Sequence, residues 1–360
     1  MNILSRKDKL CMAKGEITYH SPASGASGTV VCAAPEAFVP TDVAAMLPGE
    51  GAEYAKRLVR LALDEDGPDL TALGIFPPDD EARARIVAKQ PTVVVGLPLI
   101  SLVFAELGVE HPHRRWEALK SEGSHVESGE TVARLWGKTA MLLKAERIIL
   151  NLITHLSGVA NLTRRYVDEL EGTGVRLLDT RKTLPGQRHL EKYAVRMGGG
   201  CNHRMNLAEM LMVKDNHIDA AGSITAAVSA LRGRYSPCPP IEVECRDAAE
   251  VREAVVCRPE RILLDNMTPA QLAEVLPLIP TGIEAEISGG VDLSTIRNLA
   301  LSSSVRPPDF ISVGRITHSA PVADFSMRME RNSAPLVSYC CKEPFSIVHF
   351  SLNSTHSCET

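Results

Sequence analysis

Between Arg176 and Lys214 lie eight Lys or Arg residues (176, 181, 182, 188, 192, 196, 204 and 214) against three acids, Asp179, Glu191 and Glu209, in a chain of formal charge -5. Such a concentration of cations could hold several carboxylates or phosphates, because guanidinium and ammonium groups give them charge-assisted hydrogen bonds. A charge run is more often a solvated helix face, and helical spacing assigns Arg188, Lys192 and Arg196 to one. Arg181, Lys182 and Lys214 fit that reading poorly, since each follows an apolar, strand-like run; His189 and His203 could add to the charge. The segment RMGGGCNHR (Arg196–Arg204) sets three glycines before His203 and Arg204, and glycine lets backbone approach a ligand closely or adopt positive φ, so a binding loop is expected there.

Two acids, Glu244 and Asp265, close two further apolar runs. They could serve Mg²⁺ beside substrate phosphates, hold sugar hydroxyls, or simply pair with the lysines. Glu242 shares the Glu244 side of a strand by the period of two. Ser288, Gly289 and Gly290, with Gly314, follow the last two runs, where backbone N–H groups can bind phosphate. His318 reads as a capping or structural residue.

These residues need a frame that brings them together. Apolar runs recur at Val175–Leu178, Met210–Val213, Ile241–Val243, Ile262–Leu264, Ile283–Ile287 and Phe310–Val313, separated by helical segments. Start signals mark two of those helices: Asp247 with Glu250 three residues on, and Thr268 with Pro269 and Gln271. Apolar strands alternating with helices predict a parallel sheet. Because polar or glycine residues follow every run, a six-stranded, incomplete α/β barrel with one shared mouth is favoured over a doubly wound sheet. The first half reads as α+β. It has a helix over Glu53–Leu63, a β-branched run at Thr92–Val95, helical text at Phe104–Leu107, a hairpin-like segment at His125–Gly137 and a long helix from Ala140 to Arg165.

A length of 360 residues suggests two domains, and 44% hydrophobic with 23% charged residues is the mix of a soluble globular enzyme. With 4% aromatics and a charge of -5, nothing points to nucleic acid, and no apolar run reaches the roughly 18 residues of a membrane helix. Nine cysteines without a C-x-x-C pair predict reduced thiols and no zinc framework. Arg6, Lys7, Lys9 and Lys14 are not followed by an apolar core, so the N terminus does not read as a secretory signal. A cytoplasmic location is expected, with a nuclear one left open. The expected divisions are a flexible extension (1–35), an α/β sandwich domain (36–155), a barrel domain (156–328) and a C-terminal tail (329–360).

Taken in order, AERIILN (Ala145–Asn151), DTRKTLPGQR (Asp179–Arg188), EKYAVRMGGGCNHR (Glu191–Arg204) and LMVKDNH (Leu211–His217) resemble the quinolinate phosphoribosyltransferase family. EVEC (Glu242–Cys245), ILLDNM (Ile262–Met267), EISGG (Glu286–Gly290) and ISVGRITHSAP (Ile311–Pro321) continue the resemblance, which spans roughly Ala37 to Met327. It implies an N-terminal open-faced sandwich before the barrel, and a homo-oligomer, dimer or hexamer, whose sites are shared between subunits. It implies that Arg147, from the neighbouring subunit, joins Arg181, His203, Arg204 and Lys214 around quinolinate. Lys182, Glu244 and Asp265 would serve phosphoribosyl pyrophosphate and its Mg²⁺, with Ser288, Gly289, Gly290 and Gly314 at the phosphate and no organic cofactor. The implied activity is a pentosyl transfer with decarboxylation in NAD biosynthesis. Five potential cations exceed the need of one carboxylate, which favours quinolinate over nicotinate. A nicotinate-specific relative and a non-catalytic phosphoribosyl-metabolite binder are the rival expectations.

Overall fold

The computed structural model describes residues 43–330. The expected extension at 1–35 and the tail beyond residue 330 lie outside the described residues. Five strands belong to the first half: β1 (Glu81–Ala88), β2 (Thr92–Val93), β3 (Trp116–Ala118), β4 (His125–Val126) and β5 (Thr131–Lys138). Six follow in the second half: β6 (Arg176–Leu178), β7 (Leu211–Val213), β8 (Ile241–Cys245), β9 (Arg261–Asp265), β10 (Glu284–Ser288) and β11 (Phe310–Ser312). Last comes β12 (Phe325–Glu330).

An antiparallel sheet of order β12-β1-β5-β3 forms the open-faced sandwich. On β1, Ala82, Ala84, Ile86 and Ala88 are buried while Glu81 and Arg83 are exposed, the two-residue alternation of a sheet covered on one face. The cover is the helix Thr139–Glu169, which the sequence places correctly but shorter at both ends. Its Leu142, Ala145, Ile149 and Ile153 pack in the sheet core, and further along Leu156, Val159, Ala160 and Tyr166 pack in the barrel core. One apolar stripe thus serves two cores in succession.

The first half also corrects two expectations. The hairpin-like segment does turn at Glu127–Glu130, where Glu130 N donates to Glu127 O, but β4 and β5 form no hairpin, because β4 pairs with β2 while β5 pairs with β1 and β3. The run Thr92–Val95 is a strand only to Val93, since the Val95 N–H donates to the Ser157 hydroxyl of the long helix at 3.0 Å. The β12 strand, for which the sequence shows no signal, returns to pair with β1.

The second half is the expected parallel six-stranded barrel, of order β6-β11-β10-β9-β8-β7. It is incomplete: among the described residues β6 and β7 do not pair, and Cys201 makes an isolated bridge to Leu178. Both helix starts are realised. The Asp247 carboxylate accepts from Ala249 N and Glu250 N, and Thr268 and Gln271 form a capping box. Alternation decides what each strand buries. Ile241, Val243, Ile262, Leu264, Ala285, Ile287 and Ile311 join the core beneath the helices. Glu242, Arg261 and Glu286 sit on the other face, buried in the barrel interior. Apolar runs therefore hide a charged inner layer. Cys238, Cys245 and Cys257 are free thiols, whereas Cys201 is disulfide-bonded, a correction to the all-reduced expectation, because spacing rules see only near-neighbour pairs.

Candidate active site

The solvated-face reading of the basic run fails at its centre. Lys192 is wholly buried and pairs with buried Asp179, also donating to the His203 carbonyl at 2.8 Å. Arg188 and Arg196 are engaged as well, on Met205 O at 3.2 Å and Asn202 Oδ1 at 3.1 Å. Asn202 and the His203 N–H, at 2.6 and 2.8 Å, complete the shell around Asp179. These groups build the floor that holds the chain from His203 to Arg204.

The glycine triplet belongs to the same scaffold. A Cβ on Gly198 would lie 2.6 Å from Ala160 O, and one on Gly200 would lie 2.9 Å from the Thr163 methyl. The triplet therefore seats the loop against the long helix, and Gly199, at φ +92°, uses the positive-φ freedom of glycine.

Two cavities open at the C-terminal ends of the barrel strands. One, of about 620 Å³, is lined by Arg181, Arg204, Lys214 and His217, with Leu211, Met212 and Ala220 among its apolar walls. Burial, and then the Arg181 charge, lower the Arg204 pKa from its ordinary value. Two guanidiniums held close enough to oppose each other make a site for an anion. Arg204 is fixed through Met210 O at 2.7 Å.

The other cavity, of about 250 Å³, is lined by Thr180, Lys182, Ser288, Gly289, Gly290 and Gly314 among others. Gly289 has φ +94°, and a Cβ there would meet Asn266 Oδ1 at 2.3 Å. Gly314 leaves room for Lys182, whose Cδ would lie 2.9 Å from a Cβ at that position. The Thr317 hydroxyl ties the Lys182 carbonyl to the same loop at 2.7 Å. No acid lies within ion-pair distance of Lys182 among the described residues.

Between these cavities in strand order stand Glu244 on β8 and Asp265 on β9. The lysine-pairing reading holds for Glu244, which meets Lys214 Nζ at 2.6 Å. Asp265 accepts only from Asn266 Nδ2, at 2.9 Å, among the described residues. Both carboxylates are partly open to the mouth. As hard oxygen donors on neighbouring strands they fit Mg²⁺ that keeps substrate phosphates as its other ligands.

Four expected residues line neither cavity: Glu244 and Asp265, which stand between the two in strand order, and Arg147 and His203. Arg147 is exposed on the long helix. His203 turns into the barrel, its Nε2 3.1 Å from Glu242 Oε2 and 3.6 Å from Glu286 Oε2. Burial lowers its pKa to about 4, so the ring is neutral and adds no charge to the mouth. Burial likewise lowers the His189 pKa from its ordinary value. Burial and the neighbouring Glu242 push Glu286 up to about 7. Sequence reasoning missed Glu286, Arg261 and Thr180; strand alternation, which did find Glu242, carried the signal for the first two.

Fold and site together define a class: an α/β-barrel protein with two cavities lined by cationic side chains at the C-terminal ends of its strands. Comparison with known proteins narrows it. Residues 69–157 and 159–328 match the N- and C-terminal domains of quinolinate phosphoribosyl transferase. A probable nicotinate-nucleotide pyrophosphorylase [carboxylating] of Synechocystis is 43% identical over 253 residues, covering 69% of this chain and 83% of the relative. Its Bacillus subtilis counterpart is 37% identical over 295 residues, 80% and 97% of the two chains. The solved nicotinate-nucleotide pyrophosphorylase of Francisella tularensis superposes with a TM-score of 0.72 at 31% identity, covering 79% of this chain and 99% of that one. The chain belongs to the quinolinate phosphoribosyltransferase family.

Proposed function

We infer that this chain is a decarboxylating quinolinate phosphoribosyltransferase, which makes nicotinate mononucleotide, pyrophosphate and CO₂ from quinolinate and phosphoribosyl pyrophosphate in NAD biosynthesis. The observation that carries this is the pairing, at one mouth, of a cavity bearing Arg181, Arg204 and Lys214 with a smaller one bearing Lys182 and the Ser288–Gly290 turn. The first suits the adjacent carboxylates of a pyridine ring, and the second suits the phosphate of the donor.

The ring nitrogen forms a bond to C1 of the ribose as the bond from C1 to pyrophosphate breaks. Positive charge on that nitrogen then stabilises the electron pair left on the neighbouring carbon when its carboxylate departs as CO₂, and that carbon takes a proton from water. Arg181 and Arg204 orient the dicarboxylate, and Lys182 stabilises the leaving charge. Glu244, once Lys214 turns to substrate, and Asp265 hold ribose hydroxyls or Mg²⁺, which when bound neutralises pyrophosphate charge. No organic cofactor enters this scheme.

The shared site belongs to the same proposal, since Arg147 is exposed and lines neither cavity of its own chain. So do a cytoplasmic location and a division into two domains near residues 156–158, supported by the two matched segments. No described helix is long and apolar enough to cross a membrane.

The test is turnover of quinolinate with phosphoribosyl pyrophosphate and Mg²⁺, with nicotinate in parallel. Equal yields of nicotinate mononucleotide and CO₂ from quinolinate, with little product from nicotinate, are expected. Turnover of nicotinate instead refutes the reading. Binding of both substrates without product would mark a non-catalytic binder. For the shared site, Arg147→Ala and Lys182→Ala proteins are each expected to be inactive and to regain activity when mixed under subunit exchange; exchange without recovery refutes it.

A further inference from the structure

Beneath the mouth, His203, Glu242, Glu286 and Arg261 form a buried polar cluster that the mechanism above leaves unused. His203 Nδ1 accepts the Arg204 backbone N–H at 2.7 Å, which commits that nitrogen's lone pair. The neutral ring therefore carries its proton on Nε2, the atom facing Glu242 and Glu286. Nε2 and both Glu242 carboxylate oxygens are buried without a well-aligned hydrogen-bond partner. Such contacts are commonly loose in ligand-free enzymes and tighten with substrate.

Glu286 reaches in a second direction. The Ser312 hydroxyl beside it lies 3.0 Å from the Ser288 hydroxyl, which lines the smaller cavity. The His203, Glu242 and Glu286 donor atoms lie within 4.8 Å of one another, a spacing a metal could use. Arg261 already supplies the cation. It donates to Glu286 at 3.0 Å and to Glu284 at 2.8 Å, and lies 4.5 Å from the centre of the Phe310 ring.

We propose that Glu242 and Glu286 are positioning residues: through His203 they fix Arg204 at the larger cavity, and through Ser312 Glu286 also fixes Ser288 at the smaller one. This rests on reading the two cavities as the quinolinate and donor subsites. A buried acid that only stabilised the fold would change melting temperature without separating the two KM values.

The experiment uses the full chain. Wild-type protein is assayed first, and absence of quinolinate turnover refutes the functional reading independently of the cluster. With turnover established, Glu242→Gln is expected to raise the quinolinate KM about three- to tenfold while the donor KM stays within about twofold, a carboxyl oxygen facing Nε2 being replaced by an amide that cannot be oriented as freely. Glu286→Gln is expected to raise both. His203→Asn keeps an acceptor for the Arg204 N–H but severs the link to Glu242, so adding Glu242→Gln to it is expected to change nothing further. Glu242→Asp, which draws the carboxyl group back from the ring, carries the same expectation should the Gln protein not fold. Equal rises in both KM values for Glu242→Gln, no rise in either, an undiminished Glu242→Gln effect in the His203→Asn background, or a stoichiometric metal in the purified protein overturns the proposal.

Discussion

Lys214 and Lys182 occupy opposite electrostatic positions at the mouth. Lys214 is held by Glu244 at 2.6 Å, whereas Lys182 has no acid within ion-pair distance among the described residues. Lys214→Ala is expected to raise the quinolinate KM ten- to a hundredfold, from the loss of about 1.5–3 kcal/mol of charge-assisted bonding, and to leave the donor KM unchanged. Steady-state kinetics with each substrate varied checks this, and equal losses for both would make the residue structural. The buried Lys192 behaves differently. Its replacement by Met strands Asp179 without a countercharge, which costs about 3–5 kcal/mol by denaturant unfolding. A solvated-face lysine would lose no more than about 0.5 kcal/mol. Charge is legible in a sequence but burial is not: Arg181, Lys182, Arg204 and Lys214 line the cavities, while Lys192 and His203, written in the same alphabet, serve the interior.

At the scale of elements, the strand ends were the most legible part of the molecule. All six barrel strands lie where apolar runs place them, and Glu244, Asp265, Ser288 and Gly314 fall at or just beyond the C-terminal ends of β8, β9, β10 and β11. A run such as RILLD shows its apolar face openly, yet Arg261 and Asp265 share the other face with Leu263, and nothing local says that this face is a closed interior. Pairings made at long range were invisible too. The β12 strand joins β1 across more than two hundred residues, and the short β4 takes β2 as partner because tertiary packing, not the turn, chooses it. Glycines test how such elements shape the site. Gly289→Ala sets a Cβ against Asn266 in a backbone of φ +94°, and is expected to raise the donor KM at least about tenfold by displacing the turn. Gly129 also has positive φ (+89°) but open space around it, so Gly129→Ala is expected to cost about 1–2 kcal/mol of stability and leave both KM values alone. Equal kinetic effects from the two variants would contradict this account of the phosphate-side turn.

Across the whole molecule, Glu122 ties the barrel to the first half of the chain. Its carboxylate accepts from Gly96 N and Leu97 N at 2.8 Å each and from the Tyr193 hydroxyl at 3.0 Å. Burial outweighs these bonds and pushes its pKa up to about 7. Folding therefore favours the protonated acid: its contribution is complete below the unfolded value near 4.5 and is lost as pH rises through 7. Relative to wild type, Glu122→Gln is expected to gain up to about 3 kcal/mol between these limits, measured as unfolding free energy against pH. A difference independent of pH would mean that the carboxylate stays charged in the folded protein. The proposed function depends on where the two substrates sit, and a crystal structure of the full chain with quinolinate and phosphoribosyl pyrophosphate without divalent metal tests that most directly. The dicarboxylate is predicted between Arg181, Arg204 and Lys214, with the 5′-phosphate against Ser288–Gly290 and Gly314. Quinolinate bound elsewhere, or the two ligands exchanged between the cavities, would contradict it.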